Sequence, residues 1–97
     1  MFCSVAHLKA SPQNLEKIVQ HFQEHGIPMV SSQEGFKSVY LAAKPSGEFM
    51  IINIWDTEEH ANAWRNNPEH HEMAKPLDAL VIGEPVFDAY ELRAHAT

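Results

Sequence analysis

Phe49-Met50-Ile51-Ile52-Asn53-Ile54-Trp55 is the stretch whose reading decides the fold. It follows the turn residues Lys44-Pro45-Ser46-Gly47, precedes Asp56, and is dense in apolar and β-branched side chains, so Glu48 to Trp55 reads as a strand. Side chains alternate across a strand. Phe49, Ile51, Asn53 and Trp55 therefore share one face, and Met50, Ile52 and Ile54 the other. Both faces are mostly apolar. A sheet with helices on one side and water on the other alternates apolar with polar residues, and this strand does not. Each face needs a cover.

Working outward, Phe36 to Ala43 reads as the preceding strand, joined through Lys44-Pro45-Ser46-Gly47 as a hairpin with a four-residue connection. Phe2 to Lys9 reads as the first strand, and Val86 to Leu92, after Gly83 and Pro85, as the last. Ser11-Pro12 is a helix start, and Leu15, Ile18, Val19 and Phe22 make one apolar stripe. Gly26 is predicted to cap this helix in a left-handed conformation and Pro28 to stop it, leaving Met29 to Glu34 as a loop. Asp56 with Glu59 three residues on has the form of a capping box for a helix running to about Asn66. Asn67-Pro68 starts a further helical segment with His70, Met73, Ala74 and Leu77 on one face and Pro76 interrupting its end.

This order predicts an α+β, ferredoxin-like βαββαβ domain spanning 1–97, with a four-stranded antiparallel sheet and the helices on one face. No spare element remains to cover the second face of the central strand. A second copy's sheet is the simplest cover, so the expected state is a homodimer.

A domain of 97 residues buries only about 60–70% of the surface its unfolded chain exposes, which also favours a partner subunit. The formal net charge of −6, with 13 acidic residues against 7 basic, repels phosphate backbones and argues against nucleic acid. A single cysteine, Cys3, forbids an intrachain disulfide and fits a reducing compartment. No stretch is long and apolar enough for a bilayer, and the N-terminus lacks a secretory pattern, so the expectation is a cytoplasmic protein without a membrane partner. Only Arg93 to Thr97 is expected to be disordered.

Glu34-Gly35-Phe36, the hairpin, and Ile54-Trp55-Asp56-Thr57-Glu58-Glu59-His60-Ala61-Asn62-Ala63-Trp64 resemble the antibiotic biosynthesis monooxygenase superfamily, as do Asn67-Pro68-Glu69-His70-His71 and the closing Tyr90-Glu91-Leu92. The resemblance implies a ferredoxin-like protomer that pairs its sheet with a second copy's to form a dimeric α/β barrel. It also implies a pocket between sheet and helices in each protomer. Members similar to this chain include cofactor-independent monooxygenases of quinols and aromatic polyketides, and haem-degrading enzymes. The haem-degrading branch uses an Asn in strand one, a Trp in helix two and an iron-binding His nine or ten residues later. Trp64 matches the Trp. Strand one has no Asn, with His7 near that slot, and Met73 and Ala74 stand where the ligand belongs.

Among candidate site residues, His60 and Trp64 are four apart and share a helical face. If that face meets the pocket, Trp64 offers an aromatic wall and His60 a proton acceptor; the alternative is a core Trp and a solvated His. His70 and His71 diverge by about 100° on a helix, so they are expected not to serve one site together; His70 shares the apolar face and His71 faces water. Cofactor-free oxygenation needs a base and a dry, aromatic-lined cavity. His70 as base, Trp64, Trp55, Phe36 and Tyr40 as wall, and Asn53 as a polar contact would supply these types; the alternatives are a packing role for His70 and an Asn53 amide bonded to a backbone group or water. His21 and His25, also four apart, lack a third ligand and read as surface residues; no metal site is expected. His71-Glu72-Met73-Ala74-Lys75 begins like a zinc-protease motif but has Lys75 where the second His belongs. Three functions fit: a cofactor-independent monooxygenase acting on a small hydrophobic aromatic or quinol-type molecule, a haem-binding or haem-degrading protein, and a non-catalytic small-ligand-binding protein.

Overall fold

The computed structural model describes residues 1–96. Strand β1 (Phe2–Lys9) leads into helix α1 (Pro12–His21), capped by the Ser11 hydroxyl, which accepts from Asn14 N–H at 3.3 Å. The chain continues as one wide π-helical turn, Phe22–Gly26, and then as the short helix α2 (Ile27–Ser31). Strands β2 (Phe36–Ala43) and β3 (Glu48–Trp55) form the expected hairpin. Helices α3 (Glu58–Arg65) and α4 (Pro68–Asp78) follow, and β4 (Val86–Glu91) closes the order.

The sheet is antiparallel and four-stranded in the order β2-β3-β1-β4, the ferredoxin-like arrangement. Register fixes the faces. Across β1 and β3, Phe2 opposes Trp55, Ser4 opposes Asn53, Ala6 opposes Ile51 and Leu8 opposes Phe49. The helices pack on this face. One cluster joins Ala10, Leu15, Ile18 and Phe49; a second joins Val30, Trp55, Ala61 and Trp64. Trp55 is wholly buried, as its place in both strand and aromatic cluster requires.

The opposite face carries Cys3 and Val5 of β1, Met50, Ile52 and Ile54 of β3, Tyr40 of β2 and Tyr90 of β4. Among the described residues no helix covers it, and Tyr40 and Tyr90 are 58% and 54% exposed. Among the described residues, no helix is long and apolar enough to cross a membrane.

Four local expectations need correction. Gly26 does not cap α1: its φ of −68° is helical, and Pro28 lies in the first turn of α2 rather than stopping the chain. Wide π turns absorb such a local mismatch without ending the helix. Glycine is required there by packing, since a Cβ would meet Cδ1 of Phe22 at 2.7 Å. Met29 to Glu34 is consequently not all loop. Asp56 does not cap α3; Thr57 does, accepting from His60 N–H at 3.2 Å, which frees the Asp56 carboxylate for another bond. Pro76 sits inside α4, near enough to its end that the helix runs on to Asp78. Arg93 to Ala96 form no regular element, and Thr97 lies outside the described residues.

Candidate functional site

A cavity of about 540 Å³ lies between the helix-facing side of the sheet and α3 and α4. Its size is ordinary for a small-molecule site. The floor is Ser4, Ala6 and Leu8 of β1 with Phe49, Ile51 and Asn53 of β3. The roof is Ala61, Trp64 and Arg65 of α3 with His70, His71, Ala74 and Leu77 of α4. Phe87, 68% exposed, stands at the β4 side, and Asp78, Val81 and Pro85 complete the rim.

Sequence logic explains why these groups converge. Ser4 and Asn53 are cross-strand partners on the helix-facing side. Trp64 sits at the end of α3, and the break at Asn67 turns the chain so that the first turn of α4 folds back over it. The Asn67 side chain caps α4 by accepting from Glu69 N–H at 2.9 Å. The His70 ring then stacks on Trp64, with centroids 4.3 Å apart and planes 17° from parallel. The His71 ring also stacks with that of His70, centroids 5.6 Å apart and planes 28° from parallel.

His70 Nδ1–H donates to the Trp64 carbonyl at 3.1 Å. That bond selects the tautomer and leaves Nε2 with its lone pair. Burial pushes the His70 pKa down; the carbonyl bond opposes this, and neighbouring His71 adds to the fall. The imidazole is therefore neutral near pH 7, the form needed in a proton acceptor.

Of the residues singled out from sequence, Asn53, Trp64 and His70 line this one cavity. Trp64 is only 6% exposed and lies under His70, so it is as much a core anchor as a wall. Trp55 is not in the lining; it backs Trp64 at 6.5 Å and meets Phe36 edge-on at 6.0 Å. Its indole N–H has no partner among the described residues. Phe36 belongs to that same aromatic cluster, and Tyr40 points from the other face of the sheet.

His60 stands outside the cavity. Its Nδ1–H donates to Asp56 Oδ1 at 2.6 Å, and its Nε2 lies 3.7 Å from Glu34. The Asp56 hydrogen bond pushes the His60 pKa up and the Asp56 pKa down. Gly35 makes the close approach possible: at φ +83° it has no Cβ, and one placed there would overlap both His60 Nδ1 and Asp56 Oδ1.

Sequence reasoning missed Ser4, Arg65 and His71 as lining residues. His71 is exposed as expected, yet it lines the same cavity as His70, their rings stacked at 5.6 Å, which corrects the expectation that the two cannot share one site. His21 departs from its surface reading: its ring donates to the Met73 carbonyl at 2.9 Å and ties α1 to α4. Among the described residues, no three His, Cys, Asp or Glu side chains cluster as a metal site.

Haem fits this lining poorly. From β1 the cavity receives Ser4, Ala6 and Leu8. His7 lies on the opposite face, 3.4 Å from Asp88. The constellation of the haem-degrading branch is thus not present.

The fold is thus a ferredoxin-like α+β sheet with a largely apolar cavity between it and its helices, into which the neutral His70 imidazole faces. The sequence pattern of the antibiotic biosynthesis monooxygenase family matches residues 1–76, and the chain belongs to that family. A comparison with curated proteins gave no match. Among solved structures, the chain resembles the monooxygenase from the gene ActVA-Orf6 of Streptomyces coelicolor, determined in complex with nanaomycin D, at a TM-score of 0.85 and 19% identity, covering 99% of this chain and 90% of that one. It also resembles SnoaB, a cofactor-independent oxygenase from Streptomyces nogalater, at a TM-score of 0.76 and 15% identity over 97% and 94% of the two chains. A candidate antibiotic biosynthesis monooxygenase from Deinococcus radiodurans gives a TM-score of 0.82 at 20% identity over 100% and 97%. At these identities the likeness is one of fold.

Proposed function

We propose that this protein is a cofactor-independent monooxygenase acting on a small, hydrophobic, quinol-type aromatic molecule, with His70 as the base. The observation that carries the reading is His70 itself: a neutral imidazole, tautomer fixed by the Trp64 carbonyl, in an apolar cavity beside Asn53. Family membership and the likeness to a cofactor-independent oxygenase support it.

The chemistry follows from the lining. Nε2 of His70 takes a proton from a ring hydroxyl. The resulting phenolate is electron-rich, and the dry wall of Ala6, Leu8, Ile51 and Leu77 leaves its charge unscreened by water. It reduces dioxygen directly. One oxygen atom is inserted at a ring carbon and the other leaves as water, so a quinol and one dioxygen become a hydroxyquinone and one water. Asn53 holds a substrate oxygen, and Trp64 fixes the His70 ring rather than the substrate's face.

The working unit in this reading is a homodimer, in which two copies bring together the faces bearing Val5, Tyr40, Ile52, Ile54 and Tyr90. A continuous apolar surface of this kind on a lone subunit marks an interaction site. Sedimentation is expected to give a particle of twice the 11.0 kDa chain mass at micromolar concentration.

Oxygen-electrode measurements with a quinol series test the function. Uptake of one dioxygen per quinol, with no metal or cofactor added, is the expected result. Binding of quinols with no uptake above the buffer control would make the protein a ligand carrier instead. A Soret band on haem titration that disappears in His70→Ala would revive the haem reading.

A further inference from the structure

Ser4 and Asn53 are opposite one another in the β1–β3 register, and both side chains face the cavity. Around them the floor is Ala6, Leu8, Phe49 and Ile51. Among the described residues, neither the Ser4 hydroxyl nor the Asn53 amide has a hydrogen-bond partner. Neither group is sealed from the cavity, so no protein atom holds them and their bonding capacity is turned to whatever occupies it, water or a ligand oxygen.

We infer that Ser4 and Asn53 form the recognition pair of the cavity, binding two neighbouring oxygen atoms on one edge of an aromatic substrate. The inference rests on the cavity being the substrate site. A hydroxyl and a carboxamide each offer a donor and an acceptor. Directly opposed Cβ atoms stand about 5 Å apart, so bonds of about 3 Å from the two side chains converge on oxygens attached to adjacent ring carbons. The pair lies on the floor and His70 in the roof, so the ring is held by one edge while the base approaches from the helix side. A ring with a single oxygen, or a quinol whose only oxygens are at opposite ends, satisfies half of the pair, so within the proposed quinol class the pair selects rings that carry a further oxygen beside one of the hydroxyls.

Two isomeric probes test this without turnover: 2,3-dihydroxynaphthalene, whose oxygens are adjacent, and 2,6-dihydroxynaphthalene, whose oxygens are far apart. They match in size and apolar area. Calorimetry on the wild-type protein should show about tenfold tighter binding of the 2,3 isomer, the effect of one additional satisfied hydrogen bond. Ser4→Ala and Asn53→Leu should each erase most of that preference while binding the 2,6 isomer within about threefold of wild type. Both variants should unfold thermally at or above the wild-type midpoint, because each removes a polar group that no protein atom bonds. Equal binding of the two isomers by the wild type overturns the pair and leaves the cavity standing, as does a preference that survives in both variants. Lower unfolding midpoints in both variants also overturn it, since the groups would then serve the fold. Binding of neither isomer by the wild type overturns the cavity as the substrate site and the pair with it.

Discussion

His60 and His70 begin successive helices, and each anchors its ring through Nδ1, yet the two anchors give opposite chemistry. The partner of His60 is a carboxylate at the surface, so its proton is held and its pKa rises. The partner of His70 is a backbone carbonyl under a stacked indole, so burial prevails and its pKa falls. The same side chain becomes a clasp in one place and a free base in the other. What decides is the charge of the anchoring atom and how much water reaches the ring.

The largest effect expected is on turnover. His70→Ala should lower quinol-dependent oxygen uptake by about 10²–10⁴-fold, the usual share of a positioned general base, whereas His60→Gln should leave most of it. Equal losses from the two would erase the distinction between them. Trp64→Ala removes both the anchor beneath His70 and a ring that is 94% buried by its 6% exposure, and should cost about 3–5 kcal/mol in denaturant unfolding. If stability is unchanged, the stack is not what holds His70. Gly35→Ala attacks the other region. A left-handed φ and overlap with His60 and Asp56 predict a loss of about 1–3 kcal/mol by the same measurement, and a normal His60 titration in that variant would show the clasp tolerates the change.

The smallest and most discriminating effect is in pH dependence. His60 titrates above its ordinary 6.5, so its pairing is fully present below that value and is lost as pH rises through the raised pKa. Asp56 sets the acid limit, because the pairing vanishes again as pH falls through its lowered pKa. His70 titrates below 6.5, so it resists protonation in the fold and lowers stability as pH falls from there to its depressed pKa. Between about pH 7.5 and 5.5 the stability gap between wild type and His60→Gln should widen, and that between wild type and His70→Gln should narrow. Parallel movement of the two gaps, or NMR titrations in the reverse order, would contradict the assignment.

Strands were the most legible part of the chain. The first three have the bounds expected from alternation and turn residues, and β4 ends at Glu91 instead of Leu92, because period-two patterning is local and strong. The region around Gly26 was misread because glycine followed by proline has the form of a helix terminus, and only the Phe22 ring packed on Gly26 reveals the other use. In the site, Asn53 was visible as the one amide in an apolar run. Ser4 was not, since its significance lies wholly in its cross-strand partner, which no local window contains. Spacing of four placed His60 with Trp64 on one helical face, but Asp56, free of capping duty, draws the His60 ring away. His70 reaches Trp64 across the Asn67 break, a contact that helical periodicity cannot express.

Cys3 gives the uncovered side of the sheet a chemical clock. Its thiol lies between Ile54 and Tyr90, and burial lifts its pKa, so thiolate is scarce near neutrality. As the only cysteine in the chain, it makes a thiol-reactive dye a single-site reporter. In the proposed dimer a second sheet would close the small opening left to this buried thiol, so dilution that separates the subunits would raise the labelling rate and give an association constant without any tag.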